Sequence, residues 1–131
     1  TDEEKKEIEK QAEENKDLLG FAADVLKGRI KEARISGKLR SQPVCLTAEG
    51  PLSFEMEKYL KQIQPENEMK AERVLEFNAE HPVFGKLKEL QKTDPERAET
   101  YVKILYHQAE LMAGLPVEDP SAYCEMVASL M

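Results

Sequence analysis

The chain has 131 residues, 40% of them hydrophobic and 34% charged, with four Tyr, four Phe and no Trp. This is the size of one domain, long enough for a packed core but poor in the aromatic residues that fill a large one. A formal net charge of −7 opposes attraction to phosphate backbones, and no apolar run approaches the ~20 residues that span a bilayer, so neither nucleic acid nor membrane is an expected partner.

Residues 1–17, TDEEKKEIEKQAEENKD, are a charge-dense helix former in which Glu3 and Lys6, Glu7 and Lys10, and Glu13 and Lys16 are spaced to pair along one surface. Ile8, Ala12, Leu19, Ala22 and Leu26 carry one apolar stripe onward, which predicts a single long helix ending near Gly28. Beginning in mid-charge and without Met, the segment is expected to be a lead-in from a larger protein. The one basic stretch holds Lys27, Arg29, Lys31, Arg34, Lys38 and Arg40, but acidic and apolar residues interrupt it. It reads as the solvated side of a strand rather than a binding patch.

Two short segments follow, IKEARISGKL and PVCLTAEG, bounded by Gly37, Pro43 and Gly50 as strands require, and RVLEFN from Arg73 to Asn78 repeats the texture. Three strands are predicted. Between the second and third, LSFEMEKYLKQI places Leu52, Met56, Tyr59, Leu60 and Ile63 at helical spacing, and Pro65 ends that helix. Further on, Thr93-Asp94-Pro95 supplies a capping side chain and a proline at the first helical position. That helix runs to about Ala113. There Gly114 suits a left-handed cap, Leu115 folds back onto the last turn and Pro116 forbids continuation. Asp119-Pro120 starts the final helix, giving a C-terminal helical hairpin and, for the chain, an α+β fold.

Both hairpin helices are apolar over more than one packing partner needs. The longer one carries Ala98, Tyr101, Val102, Leu105, Ala109 and Met112, with Ile104 and Leu111 beside them; the last one carries Tyr123, Met126, Val127, Leu130 and Met131. Two arrangements cover such a surface. The hairpin packs on its own sheet within a monomer, or two hairpins form a four-helix bundle across a two-fold axis, and periodicity alone leaves both open.

Few residues suggest chemistry. Cys45 and Cys124 lie far apart without a CxxC, which signals neither zinc nor a disulfide framework; both read as small buried side chains in a reducing, cytoplasmic setting. His107 and Glu110 form an HxxE that lacks a third ligand, and His81 before Pro82 reads as a local hydrogen-bonding residue in a turn. No Gly-rich phosphate loop and no nucleophile–base constellation is present in the sequence, so no catalytic, cofactor or metal site is expected in this chain.

Read in order, KGRIKEARISGKL, PVCLTAEG, MEKYLKQ, RVLEFNAEHPVFGKL, VKILYHQAELMAG and LPVEDPSAYCEMVASLM resemble the C-terminal domain of the heat-shock-protein-90 chaperones over essentially the whole chain. The most specific pieces are LPVEDP and LEFNAEHP, where that family usually has Ile, Pro and Asp in place of Phe77, Ala79 and Glu80. Without an acidic EEVD-type tail, the chain is similar to the bacterial, HtpG-type branch. The resemblance implies an ATP-driven dimeric chaperone, with ATP and Mg held by an absent N-terminal domain. It also implies a division into a helical lead-in over 1–17, a mixed α/β part over 18–92 and dimerisation helices over 93–131.

The resemblance favours the second copy, which makes Tyr101, Leu105, Met112, Tyr123, Met126, Val127 and Leu130 the expected homodimer interface. It assigns Leu52, Met56, Tyr59 and Leu60 to contact with unfolded or partly folded client proteins, where the stripe would otherwise read as core. Another reading is a stand-alone helical adaptor docking on a protein partner through its last helices; such an adaptor is monomeric alone.

Overall fold

The computed structural model describes residues 2–37 and 41–131. Lys38 and Arg40 of the basic stretch lie outside the described residues. In chain order the elements are α1 (Asp2–Glu14), α2 (Lys16–Val25), β1 (Glu32–Ile35), β2 (Val44–Glu49), α3 (Phe54–Ile63), β3 (Glu72–Phe77), α4 (Pro82–Thr93), α5 (Pro95–Met112) and α6 (Pro120–Ser129).

The predicted first helix is interrupted at Asn15, although the Asn15 amide still bonds to the Gln11 carbonyl at 3.0 Å and Leu19 to that of Asn15 at 3.0 Å. The break separates two kinds of helix. None of the described residues of α1 is buried, and a Lys10–Glu14 pair at 4.0 Å lies on its surface. By contrast, α2 buries Leu18 and Ala22, with Leu26 buried just beyond its end, and Gly28 then turns the chain at φ 85°.

The described residues contain a three-stranded mixed sheet in the order β1-β3-β2, with β3 parallel to β1 and antiparallel to β2. Register sorts its two faces. Ile35 and Val44 both pair with Phe77, and Ala33 and Leu46 with Leu75, so these residues share one face and enter the core. The opposite face carries Glu32, Arg34, Thr47, Glu49 and Glu76 around a fully buried Val74. There Arg34 pairs with Glu32 and with Glu49 (2.7 Å), and Lys31 with Glu49 (3.0 Å), which places these two residues of the basic stretch on a solvated strand face, while Lys27 and Arg29 lie in the turn before it.

Helix α5 lies over the core face, against β2, with α2 and α4 beside it. Asp94 accepts from the Arg97 amide (3.3 Å) with Pro95 in the first turn. At the other end Gly114 takes φ 76°, and Leu115, buried, returns its amide to the Glu110 carbonyl at 2.9 Å. Helix α4 is absent from the predicted elements, yet its signals exist. His81 Nδ1 accepts from the Val83 amide at 3.1 Å, Pro82 opens the helix, and Phe84, Leu87 and Leu90 recur every third residue into the core. The Asn78 side chain accepts from the Glu80 amide (3.0 Å) and so shapes the turn before it.

The sheet covers much of α5. Ala98, Val102, Leu105 and Ala109 all belong to the chain's own core. β2 and α2 together lie against this part of α5.

Candidate interaction surfaces

Among the described residues the exposed large hydrophobic side chains fall in two places. Met56, Tyr59, Ile63 and Met69 lie on α3 and the loop after it; Leu111, Met112 and Met131 lie at the end of α5 and the C-terminus.

Helix α3 begins at Ser53, whose hydroxyl accepts from the Met56 amide at 3.1 Å. At 3.6 residues per turn, Met56, Tyr59, Leu60 and Ile63 share one face, with Leu52 just before the helix, while Phe54 lies opposite and Glu57 at the flank. The structure turns the polar face inward. The Glu57 carboxylate accepts from both terminal nitrogens of Arg73 (2.9 Å each) and from the Ala71 amide (2.7 Å), and the pair is almost fully enclosed, at 12% and 6% side-chain exposure. Arg73 also sits over the Phe54 ring, 5.4 Å from its centroid. Burial alone pulls the guanidinium pKa down, but the hydrogen bonds and charge of Glu57 outweigh it and hold Arg73 above its ordinary value.

None of the described residues of α3 is buried, and the helix touches its neighbours sparsely. A bidentate ion pair and one aromatic ring hold it, and its apolar face points away from the body. Met56, Tyr59 and Ile63 are each about half exposed (48%, 55% and 55%), while Leu52 and Leu60 are half-buried. Glu57 and Arg73 were not singled out from the sequence. The signal was present as an acid one turn from Phe54, at the flank of the stripe.

The second surface is built on the hairpin. None of the described residues of α6 is buried; Tyr123, Met126, Val127 and Leu130 are half-buried, and Met131 is 95% exposed. Helix α6 meets α5 where the His107 ring stands edge-on to Tyr123, with centroids 5.7 Å apart, while His107 Nδ1 lies 2.8 Å from the Glu110 carboxylate. The HxxE is thus a clasp within the hairpin, and no cluster of three metal-capable side chains occurs among the described residues. Leu111 and Met112 are exposed beside α6, and Tyr101 is half-buried against the core.

Two expectations are corrected. Leu105, expected at a dimer interface, is 5% exposed and packs in the chain's own core, because α5 presents it to the sheet. Cys124, expected to be buried, is exposed on α6, and Cys45 is half-buried on the sheet. Tyr106, next to Leu105, is also buried, and its hydroxyl pKa is pushed up to about 12, first by burial and then by the nearby Glu110 charge. No helix among the described residues is long and apolar enough to cross a membrane.

The family model described as "Hsp90 protein" matches residues 1–131. Among curated relatives, the chain is 48% identical over 126 residues to the chaperone protein HtpG of Clostridium acetobutylicum, covering 96% of this chain and 20% of that protein. It is 42% identical over 130 residues to HtpG of Halalkalibacterium halodurans (99% of this chain, 21% of that protein) and 39% identical over 131 residues to HtpG of Bacillus subtilis (100% and 21%). The chain therefore spans about a fifth of the length of these relatives.

The enclosed pair gives a stability test. Replacing Arg73 by Met, or Glu57 by Gln, strands one buried ionic partner and is expected to cost ~3–5 kcal/mol in urea unfolding. The double replacement should cost less than the sum of the single ones; simple additivity would show that the pair is not coupled. Tyr106 gives a pH test. A phenol pKa raised by folding contributes stability that is intact below the unfolded value of about 10 and is lost as pH climbs toward the folded value. Urea midpoints between about pH 9 and about pH 11 should fall more steeply in the parent than in Tyr106→Phe, and parallel curves would rule this linkage out.

Proposed function

The chain belongs to the Hsp90 protein family, and from that membership we propose that it is the C-terminal homodimerisation and client-contact domain of an HtpG-type, ATP-driven chaperone. The observation that carries this reading is the confinement of the exposed large hydrophobic side chains among the described residues to two separate surfaces, one on α3 and the loop after it, the other at the end of α5 and the C-terminus beside a helix α6 that buries none of its described residues.

A second copy of the chain covers the hairpin surface. Met112 continues the α5 stripe and Leu111 lies beside it, both exposed, and Tyr123, Met126, Val127 and Leu130 add half-open apolar side chains at the C-terminal helix. Burying side chains of this kind contributes ~1.5–3 kcal/mol each before the cost of association, enough for a specific dimer. A ten-residue helix is also marginal by itself in water, so a partner would stabilise α6 itself as well as the interface.

Client proteins occupy the α3 surface. Methionine suits such a role, since an unbranched thioether side chain repacks against varied partners, and both Met56 and Met69 lie here. The charge-dense α1, none of whose described residues is buried, fits a helical lead-in over residues 1–17 that connects to another domain of the longer protein. The ATPase cycle belongs to the remainder of that protein.

Two experiments test the reading. Leu130→Asp, or removal of residues 119–131, is expected to convert a dimer into monomers in sedimentation equilibrium; a dimer that survives both, or a monomeric parent, contradicts it. Met56→Ser with Tyr59→Ser should leave the thermal midpoint of the dimer within a few degrees of the parent, because half-exposed side chains contribute little to the fold. Binding of a permanently unfolded model protein should fall several-fold. A collapsed melt would instead make the stripe core.

A further inference from the structure

A cleft of ≈ 610 Å³ lies away from α3 and borders the hairpin surface at Met126, between residues 28–31, the approach to β3 at 70–73, the second half of α5 and α6. That is the volume of a small-molecule site rather than of a single ion. Ile30, Ala71, Ala122 and Met126 give it an apolar wall.

Its polar groups are unevenly satisfied. Each lining carboxylate is engaged: Glu72 with Lys31 (3.7 Å), Glu110 with His107 (2.8 Å), Glu118 with Lys70 (2.8 Å), and Asp119 with the Ala122 amide (3.0 Å). The donors are not. Among the described residues Arg29 has no ion-pair partner, the Tyr106 hydroxyl makes no hydrogen bond, and Arg73, 94% buried on its 6% exposure, leaves its Nε unpartnered. The charges of Arg29, Arg73, Glu110 and Glu118 all act on the Tyr106 hydroxyl, so these groups converge on one region. On a chain of net charge −7, the cleft nonetheless holds five Lys or Arg side chains against four carboxylates. Unfilled donors beside satisfied acceptors call for a ligand that only accepts.

We propose that this cleft binds a small molecule that joins an oxyanion, carboxylate or phosphate, to an apolar body. The oxyanion takes the Arg29 guanidinium and the Tyr106 hydroxyl, and the apolar part lies on Ile30, Ala122 and Met126. Glu118 opposes the oxyanion: its carboxylate, paired at the exposed surface with Lys70 at 2.8 Å, adds a negative charge to the same cleft.

The test is a titration of the isotope-labelled chain with benzoate, with phenyl phosphate and with neutral benzyl alcohol at constant ionic strength, following backbone amide shifts. It is made at concentrations where the association state does not change, since Met126 is shared with the proposed dimer surface. Saturable shifts around residues 28–31, 106 and 122 are expected with the anions and not with the alcohol, and the tighter anion identifies the headgroup. Arg29→Gln, a change at an exposed position, should weaken binding by about tenfold, the loss of one charge-assisted contact. Glu118→Gln should strengthen it. Equal response to the alcohol, no saturable response to either anion, an Arg29→Gln affinity equal to the parent's, or weakening by Glu118→Gln would each overturn the proposal.

Discussion

The enclosed pair of Glu57 with Arg73 decides how the exposed parts of this molecule are presented. Arg73 stands at the start of β3, the central strand, and reaches α3 through Glu57 and Phe54. An amphipathic helix beside a sheet ordinarily lays its apolar stripe on that sheet, which removes the most nonpolar area from water. Here the inward face of the helix already holds a carboxylate with three close donors. Rolling α3 over would strand the guanidinium in a nearly closed site, and that penalty exceeds what burying two or three half-exposed side chains returns. The fold therefore tolerates an outward apolar stripe, and an exposed stripe on a lightly held helix is useful only for contact with something else.

The two surfaces differ in how they are built. On α3 the stripe is isolated from the core by the helix itself, so its residues can be changed with little effect on the body. On the hairpin, α5 is shared. Its first turns are core, covered by β2 and α2, and its final residues, Leu111 and Met112, are exposed. The edge contact of Tyr123 with His107, whose ring is held by Glu110, joins the first turn of α6 to α5, while the other described residues of α6 stay half-buried or exposed. Attachment by one contact zone makes α6 the element most dependent on what it meets next.

Charge is arranged to keep these surfaces apart from the rest. The outer sheet face is a lattice of exposed Lys, Arg and Glu pairs that individually contribute little stability. Their effect is to cover Val74 and to leave the sheet without an apolar outer face. With a net charge of −7 the chain repels copies of itself in general, so association is left to surfaces that are apolar enough to overcome it.

The sequence by itself determined the element types wherever local chemistry is self-sufficient. Strand texture, the Asp94-Pro95 and Asp119-Pro120 starts, the Gly114-Leu115 stop and the solvated basic strand are all written within a few residues of where they act. The same local signals are present for α4 in His81-Pro82 and the three-residue recurrence of Phe84, Leu87 and Leu90, but strand texture runs up to Asn78 and masks the start of the helix. Periodicity names the members of a face but not its direction. Whether the α3 stripe points in or out depends on Arg73, sixteen residues beyond Glu57, and whether Leu105 faces a sheet or a partner depends on β2, about sixty residues before it. Those are long-range pairings, settled only when the chain closes on itself and the burial of one face is weighed against the enclosure of an ion pair on the other.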